Sequence, residues 1–249
     1  MQRQAVTVLL REPSGNQFGS GVLVGSGSGG HWVVSNRHVV QQQNTVCVVG
    51  AELKASAALV LPARGGKRGQ ELDVALVWLP RSGKDALMVA PLAPQRLDAS
   101  QLPLLIATGY PTPLQASPDG PTYSENEGLL LPLLKTSLEG GFDLAYTAAV
   151  QKGMSGGGVF SGGELIGING AHANPLWPGV WRDQGRKPVA EQLNSKLELV
   201  SLGISAEVIK AELKEAAVPG AEQLNSLSRV NCNPAGNGSM ERKPAQRSK

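Results

Sequence analysis

Glycine breaks this sequence too often for long helices, and at the spacing that tight turns between short strands require. Of 249 residues 31 are glycine, and 17 prolines accompany them. That glycine share, roughly 12 %, stands well above the average near 7 %. Between the breaks run short segments of apolar–polar alternation at residues 6–10, 21–24, 32–34, 45–49, 58–61 and 72–79. Period two with glycine punctuation marks β-strands, whose successive side chains face opposite sides. The glycine-rich stretch 25–30 lies between two of them. No Gly-Lys-Ser/Thr comes after it, so it is read as a hairpin turn and not as a phosphate cradle. Alternation lapses around residues 88–103 and resumes at 104–109, 129–134, 144–148, 157–160 and 165–169. Two successive clusters of about six strands indicate two barrels or a sandwich.

The period changes once. Over residues 205–217 Val208, Ile209, Leu213 and Ala216 share one face with Ile204, Ser205 stands at the N-cap, and Pro219-Gly220 forms the stop, which predicts a helix. The remaining residues are polar and poor in large apolar side chains, and read as a disordered basic tail. The division predicted is therefore 1–90 and 91–204 for the two strand clusters, 205–218 for the helix and 219–249 for the tail. The hexapeptide Ala-Glu-Gln-Leu-Asn-Ser occurs at both 190–195 and 221–226; the sequence offers no physical reason for it.

Composition excludes several classes. The net charge is +3, but from Ser228 onward five basic residues face one acidic one, which leaves 18 basic against 19 acidic in the remainder. A neutral body without a basic stripe argues against a nucleic-acid partner. The longest apolar runs, 74–79 and 86–93, fall far short of the roughly 18 residues that a membrane span needs. The short apolar stretch between Arg3 and Arg11 is no signal peptide, so the chain as written is expected in the cytoplasm. Cys47 lies in an apolar run and Cys232 in the tail, which gives neither metal-ligand spacing nor a disulfide framework. No metal or other cofactor is expected.

The segment carrying most chemical information is Gly153-Met154-Ser155-Gly156-Gly157-Gly158. Glycines on both sides of a serine let the backbone turn sharply and bring two N–H groups beside its hydroxyl, as an oxyanion hole needs. The same letters satisfy the Gly-x-Ser-x-Gly elbow of α/β-hydrolases, whose order is serine, acid, histidine. Downstream of Ser155 the one histidine is His172, with no strand–helix alternation between them, so that reading fails. Upstream, His38 closes a strand running into a turn, and Asp73 sits in an otherwise apolar segment where a carboxylate demands a partner. His31 is expected to be exposed on its hairpin.

With His38, Asp73 and Ser155 in that order, the sequence resembles the bacterial, disulfide-free trypsin-like serine peptidases. Ser35-Asn36-Arg37-His38, Leu72-Asp73-Val74-Ala75-Leu76 and Gly153–Gly158 with Glu164-Leu165-Ile166-Gly167-Ile168 correspond to that family's three ordered motifs. Gly109-Tyr110-Pro111 and Tyr146-Thr147 extend the likeness over about residues 5–217. The resemblance implies an all-β fold of two six-stranded antiparallel β-barrels (chymotrypsin-like) with a C-terminal helix. It implies His38, Asp73 and Ser155 as catalytic residues, the N–H groups of Gly153 and Ser155 as oxyanion hole, and a peptide or protein as substrate. A peptide-binding module without useful turnover is the second reading.

Departures from the family pattern shape the rest. Met154 replaces the aspartate that pairs with a newly cut amino terminus. Ala149 stands at the base of the specificity pocket, so a substrate Lys or Arg finds no counter-ion there. Val150, Lys152, Asn169, Gly170, Ala171 and His172 complete the expected substrate groove, with Lys152 or His172 able to favour an acidic side chain and Asp183 able to reach in from the loop 174–187. His172 is read as packing near the groove, and Trp177 and Trp181 as a roof over it or as packing on the barrel.

Overall fold

The computed structural model describes residues 2–61, 71–81, 87–113, 121–174 and 179–233. A short helix α1 (Arg3–Val6) leads into β1 (Thr7–Arg11), β2 (Gln17–Gly27), β3 (Gly30–Ser35), β4 (Thr45–Gly50), β5 (Leu53–Val60) and β6 (Ala75–Pro80), which close into one barrel in the order β1-β2-β3-β6-β5-β4. The second barrel is formed by β7 (Leu104–Gly109), β8 (Ser124–Leu131), β9 (Leu144–Tyr146), β10 (Gly158–Ser161), β11 (Glu164–Ala171) and β12 (Ser201–Ser205), closed as β10-β11-β12-β9-β8-β7. Helices α2 (Glu191–Leu197), α3 (Ala206–Glu215) and α4 (Ala221–Asn225) accompany them. The all-β, two-barrel expectation is met, and the sandwich is excluded.

Alternation in the strands assigns each side chain to one of two cores. Val8, Leu10, Leu23, Val33, Val77 and Leu79 fill the first barrel. Their neighbours Val22, Val24, Trp32, Val34, Leu76 and Trp78 point the other way, into a cluster shared with Phe160, Leu165, Ile168, Ile204 and Ile209 of the second barrel and α3. β2, β3 and β6 are thus buried on both faces, which is why 74–79 reads as an unbroken apolar run. Trp32 and Trp78, paired across β3 and β6, meet edge to face at 4.6 Å between ring centroids.

Several sequence expectations are corrected. β6 starts at Ala75, because Leu72 and Asp73 leave the ladder to pair with Gly140 of the second barrel. β8 starts five residues early, its Ser124–Gly128 half being polar, with Glu125 and Glu127 on its exposed face. β12 was hidden because its Ile204 also continues the helical pattern of α3. The Gly25–Gly30 hairpin forms, but His31 beside it is buried, since it pairs with Leu79 of β6 and so shares the first barrel's inner face with Val33, Val77 and Leu79. Both His31 ring nitrogens lack partners among the described residues, and burial, with Arg81 adding to it, pushes its pKa down. Both copies of the hexapeptide are helical, in α2 and α4, each docking one leucine: Leu193 beside Leu138 and Leu197, and Leu224 beside Leu59 and Trp78. No helix among the described residues is long and apolar enough to cross a membrane.

The largest correction concerns the tail. Residues 219–233 are ordered: α4 and a 3-10 turn at Ser226–Arg229 bring Leu227 into the shared cluster, and Cys232 is joined to Cys47 of β4 by a disulfide with Cα atoms 5.6 Å apart. Arg11 Nη2 donates to Cys232 O at 2.7 Å. The pairing was illegible because the partners lie 185 residues apart in sequence. Arg242, Lys243, Arg247 and Lys249 lie outside the described residues.

A cross-link spanning so long a loop is worth about 2–5 kcal/mol, chiefly by constraining the unfolded chain. Cys232→Ser is expected to lower the urea-unfolding free energy by about that much, and dithiothreitol to lower the midpoint of the parent protein while leaving the variant's in place. A parent transition indifferent to reductant would sink the pairing.

Candidate active site

His38 stands in the turn after β3, where Val39 N–H donates to Asn36 O and Val40 N–H to Arg37 O. Asp73 meets it twice: Oδ2 lies 2.7 Å from His38 Nδ1, and Oδ1 accepts the His38 backbone N–H at 2.9 Å. An ionised carboxylate can only accept, so the ring proton sits on Nδ1 and Nε2 carries the lone pair. The Asp73 carbonyl is held as well, by Asn36 Nδ2 at 3.0 Å and Arg37 N–H at 3.3 Å. Asp73 N–H donates to Gly140 O at 2.8 Å, so a loop of the second barrel supports the acid of the first.

Ser155 is half-buried in the turn before β10. Gly153 and Gly156 adopt φ of +93° and +81°, which L side chains rarely adopt. Among the described residues the Gly153 and Ser155 N–H groups donate to no protein group, whereas Met154 N–H bonds Gln151 O, Gly156 N–H bonds Asn169 O and Gly157 N–H bonds Met154 O. Two unspent donors therefore flank the serine. Its Oγ donates to Gly170 O at 3.3 Å and makes no hydrogen bond to His38.

Residues that sequence reasoning missed press the two halves together. Ser20 of β2 donates its N–H to Ser155 O at 2.9 Å and its hydroxyl to Gly153 O at 2.8 Å. A methyl on Gly156 would lie 2.3 Å from both Ser20 O and Ser35 Oγ and 3.1 Å from Asn36 N, so glycine is what lets the serine turn reach the histidine turn. The signal was present in Gly19-Ser20-Gly21, where small residues open a strand to close backbone approach.

The expected groove is split. Ala149, Lys152 and His172 are exposed and Ala171 is half-buried, while Val150, Asn169 and Gly170 are buried. Val150 packs with Tyr146 and Met154 inside the second barrel, so its side chain forms no groove wall. Asp183 does not reach in: it bridges to Leu138, and its Oδ1 accepts the Lys187 N–H at 2.9 Å. Trp181 stacks edge to face on Phe142 at 6.0 Å; Trp177 lies outside the described residues. A cavity of about 560 Å³ opens beside His38 and Asp73, bounded by Leu72, Gly140 and Arg186 among others. No group of metal-ligating side chains occurs among the described residues.

Residues 19–168 match the trypsin-like peptidase domain. Among solved structures, the serine endoprotease from Yersinia pestis is similar with a TM-score of 0.58 at 19% identity, the match covering 85% of this chain and 62% of that one. The chain thus spans under two thirds of that enzyme's length. The Rv3671c protease in its inactive form matches with a TM-score of 0.55 at 17% identity, over 87% of this chain and 91% of that one. No curated protein matches.

The contact at Gly156 sets a test. Gly156→Ala forces a methyl against two backbone atoms at a positive φ, and should destabilise the fold by about 1–3 kcal/mol or more. Equilibrium urea unfolding measures it; a loss under about 0.5 kcal/mol would refute the close approach.

Proposed function

Since the chain belongs to the trypsin-like peptidase family, we propose that it is a serine endopeptidase in which His38, Asp73 and Ser155 form a catalytic triad. What supports this is the coincidence in one place of a carboxylate-held imidazole and a serine flanked by two unspent N–H groups. Ser155 Oγ attacks the scissile carbonyl carbon while His38 Nε2 takes its proton. The Gly153 and Ser155 N–H groups hold the oxyanion, each such donor contributing about 2.7–4 kcal/mol in comparable sites. Collapse breaks the C–N bond, and the imidazolium gives its proton to the leaving amine. Water, deprotonated by His38, then hydrolyses the acyl-enzyme ester and restores the serine. Asp73 keeps the tautomer and stabilises the imidazolium throughout.

The rotation of Ser155 Oγ toward Gly170 O favours one second reading, a peptide-binding module without turnover. A fluorophosphonate separates the two, since it labels an activated serine alone. The parent protein should be labelled and Ser155→Ala should not, and Asp73→Asn should keep the fold while lowering kcat by about four orders of magnitude. No labelling of the parent selects the binding module; a loss in Asp73→Asn under about tenfold would remove Asp73 from its role.

Specificity follows from charge. Neither 149–152 nor 169–172 carries a carboxylate, and Asp183 is committed to the Lys187 N–H. A guanidinium or ammonium buried there would stay unpaired, which is strongly unfavourable. Cleavage is expected after small or medium apolar residues, as a positional-scanning peptide library would report. Dominant cleavage after Arg or Lys refutes this, and dominant cleavage after Asp or Glu would assign the pocket to Lys152 and His172.

A further inference from the structure

A trans peptide unit points its C=O and its N–H in opposite directions. Whatever grips the carbonyl therefore also aims the amide proton across the same unit. From Lys152 to Ser155 every carbonyl is gripped. Lys152 O accepts Thr112 N–H at 2.8 Å, and Gly153 O and Ser155 O are taken by Ser20. Met154 O accepts Gly157 N–H at 3.0 Å and Asn169 Nδ2 at 3.2 Å. Two of these matter for the oxyanion: the Lys152 carbonyl shares its unit with Gly153 N–H, and the Met154 carbonyl shares its unit with Ser155 N–H.

Asn169 is a polar side chain buried in an apolar barrel, which is costly unless its hydrogen bonds are made. They are made in one orientation. Nδ2 faces Thr108 O at 2.8 Å as well as Met154 O. Both are carbonyls that only accept, so the amide must present its NH2 to them. Oδ1 is then left to accept the Tyr146 hydroxyl at 2.8 Å, and Tyr146, fully buried, stays protonated as a donor because burial pushes its pKa up. The Asn169 backbone clips the other side of the turn, donating to Gly157 O at 2.8 Å and accepting from Gly156 N–H at 2.9 Å. A side chain so enclosed cannot line a substrate groove, which is where the sequence placed it.

We infer that Asn169 is a positioning residue for the oxyanion hole, gripping Met154 O so that Ser155 N–H is aimed at the reacting carbonyl, and that Thr112 N–H does the same for Gly153 N–H through Lys152 O. The inference rests on Ser155 being the nucleophile. Asn169 acts from the core and Thr112 from an exposed loop, so the two can be altered independently.

Asn169→Ala leaves Met154 O held by Gly157 N–H alone, and Thr112→Pro removes the N–H that holds Lys152 O. Rates on a peptide substrate are normalised to fluorophosphonate-titrated sites. Each variant should lose at least about tenfold in kcat, up to the 10²–10³ of a lost oxyanion donor, with KM within about threefold. The pH profile should keep its midpoint because His38 is untouched. A peptide aldehyde, whose hemiacetal oxygen occupies the hole, should lose affinity in parallel with kcat. If both variants keep kcat and aldehyde affinity within about threefold, or if Asn169→Ala lowers the melting temperature alone, the inference is overturned and Asn169 is merely packing. Failure of the premise looks different: the parent protein then neither labels nor hydrolyses. The crystal structure of Asn169→Ala decides in that event, a turned Met154–Ser155 peptide unit supporting the inference and an unmoved one overturning it.

Discussion

Burial of both faces of β2, β3 and β6 is the constraint on which everything else in this molecule depends. One set of side chains fills the first barrel; the other forms a seam against Phe160, Ile168, Ile204 and Ile209. Sliding the barrels would expose Trp78, Phe160 and their neighbours, each worth about 1.5–3 kcal/mol when fully buried. The seam therefore fixes the relative position of two halves of the chain that each hold part of the site. It brings Gly19 and Ser20 against the carbonyl of Ser155, with Ser20, Ser35 and Asn36 against Gly156 at distances that leave no room for a Cβ there.

Legibility in the sequence obeys a physical division. His38, Asp73 and Ser155 stand out as candidates because the chemistry proposed for them resides in side chains, and their settings, a strand end, an apolar run and a glycine cluster, make such side chains conspicuous. Thr112 and Gly140 could not, because what they contribute is a backbone N–H, which every residue but proline offers, or a C=O, which every residue offers. Their roles exist only once two barrels have closed and met.

The same division explains the errors in the fold. Strands with one wet face, such as β8 with Glu125 and Glu127, lack the apolar contrast that reveals β2 or β6. Ile204 satisfied a helical pattern and a strand pattern together, and the helix was the longer match. His31 was judged by the habit of hairpin tips, which the register overrides by setting it opposite Leu79 on the first barrel's inner face. Asn169 was placed in a groove because it opens the segment that corresponds to the substrate-binding edge of the resembled family, whereas its amide is spent entirely within the core.

The bond between Cys47 and Cys232 closes residues 47–232 into a ring that holds Asp73, Ser155 and the whole second barrel, with β1–β3 and His38 carried just upstream of it on the same chain. A chain with the activity proposed above is always in the presence of one protease, itself. In a linear chain a single cut in a connecting loop frees two fragments that can drift apart. Here a cut at any one bond between residues 47 and 232 opens the ring but leaves its pieces tied, so the histidine and serine turns stay on one covalent molecule and the seam can hold them in register after the nick.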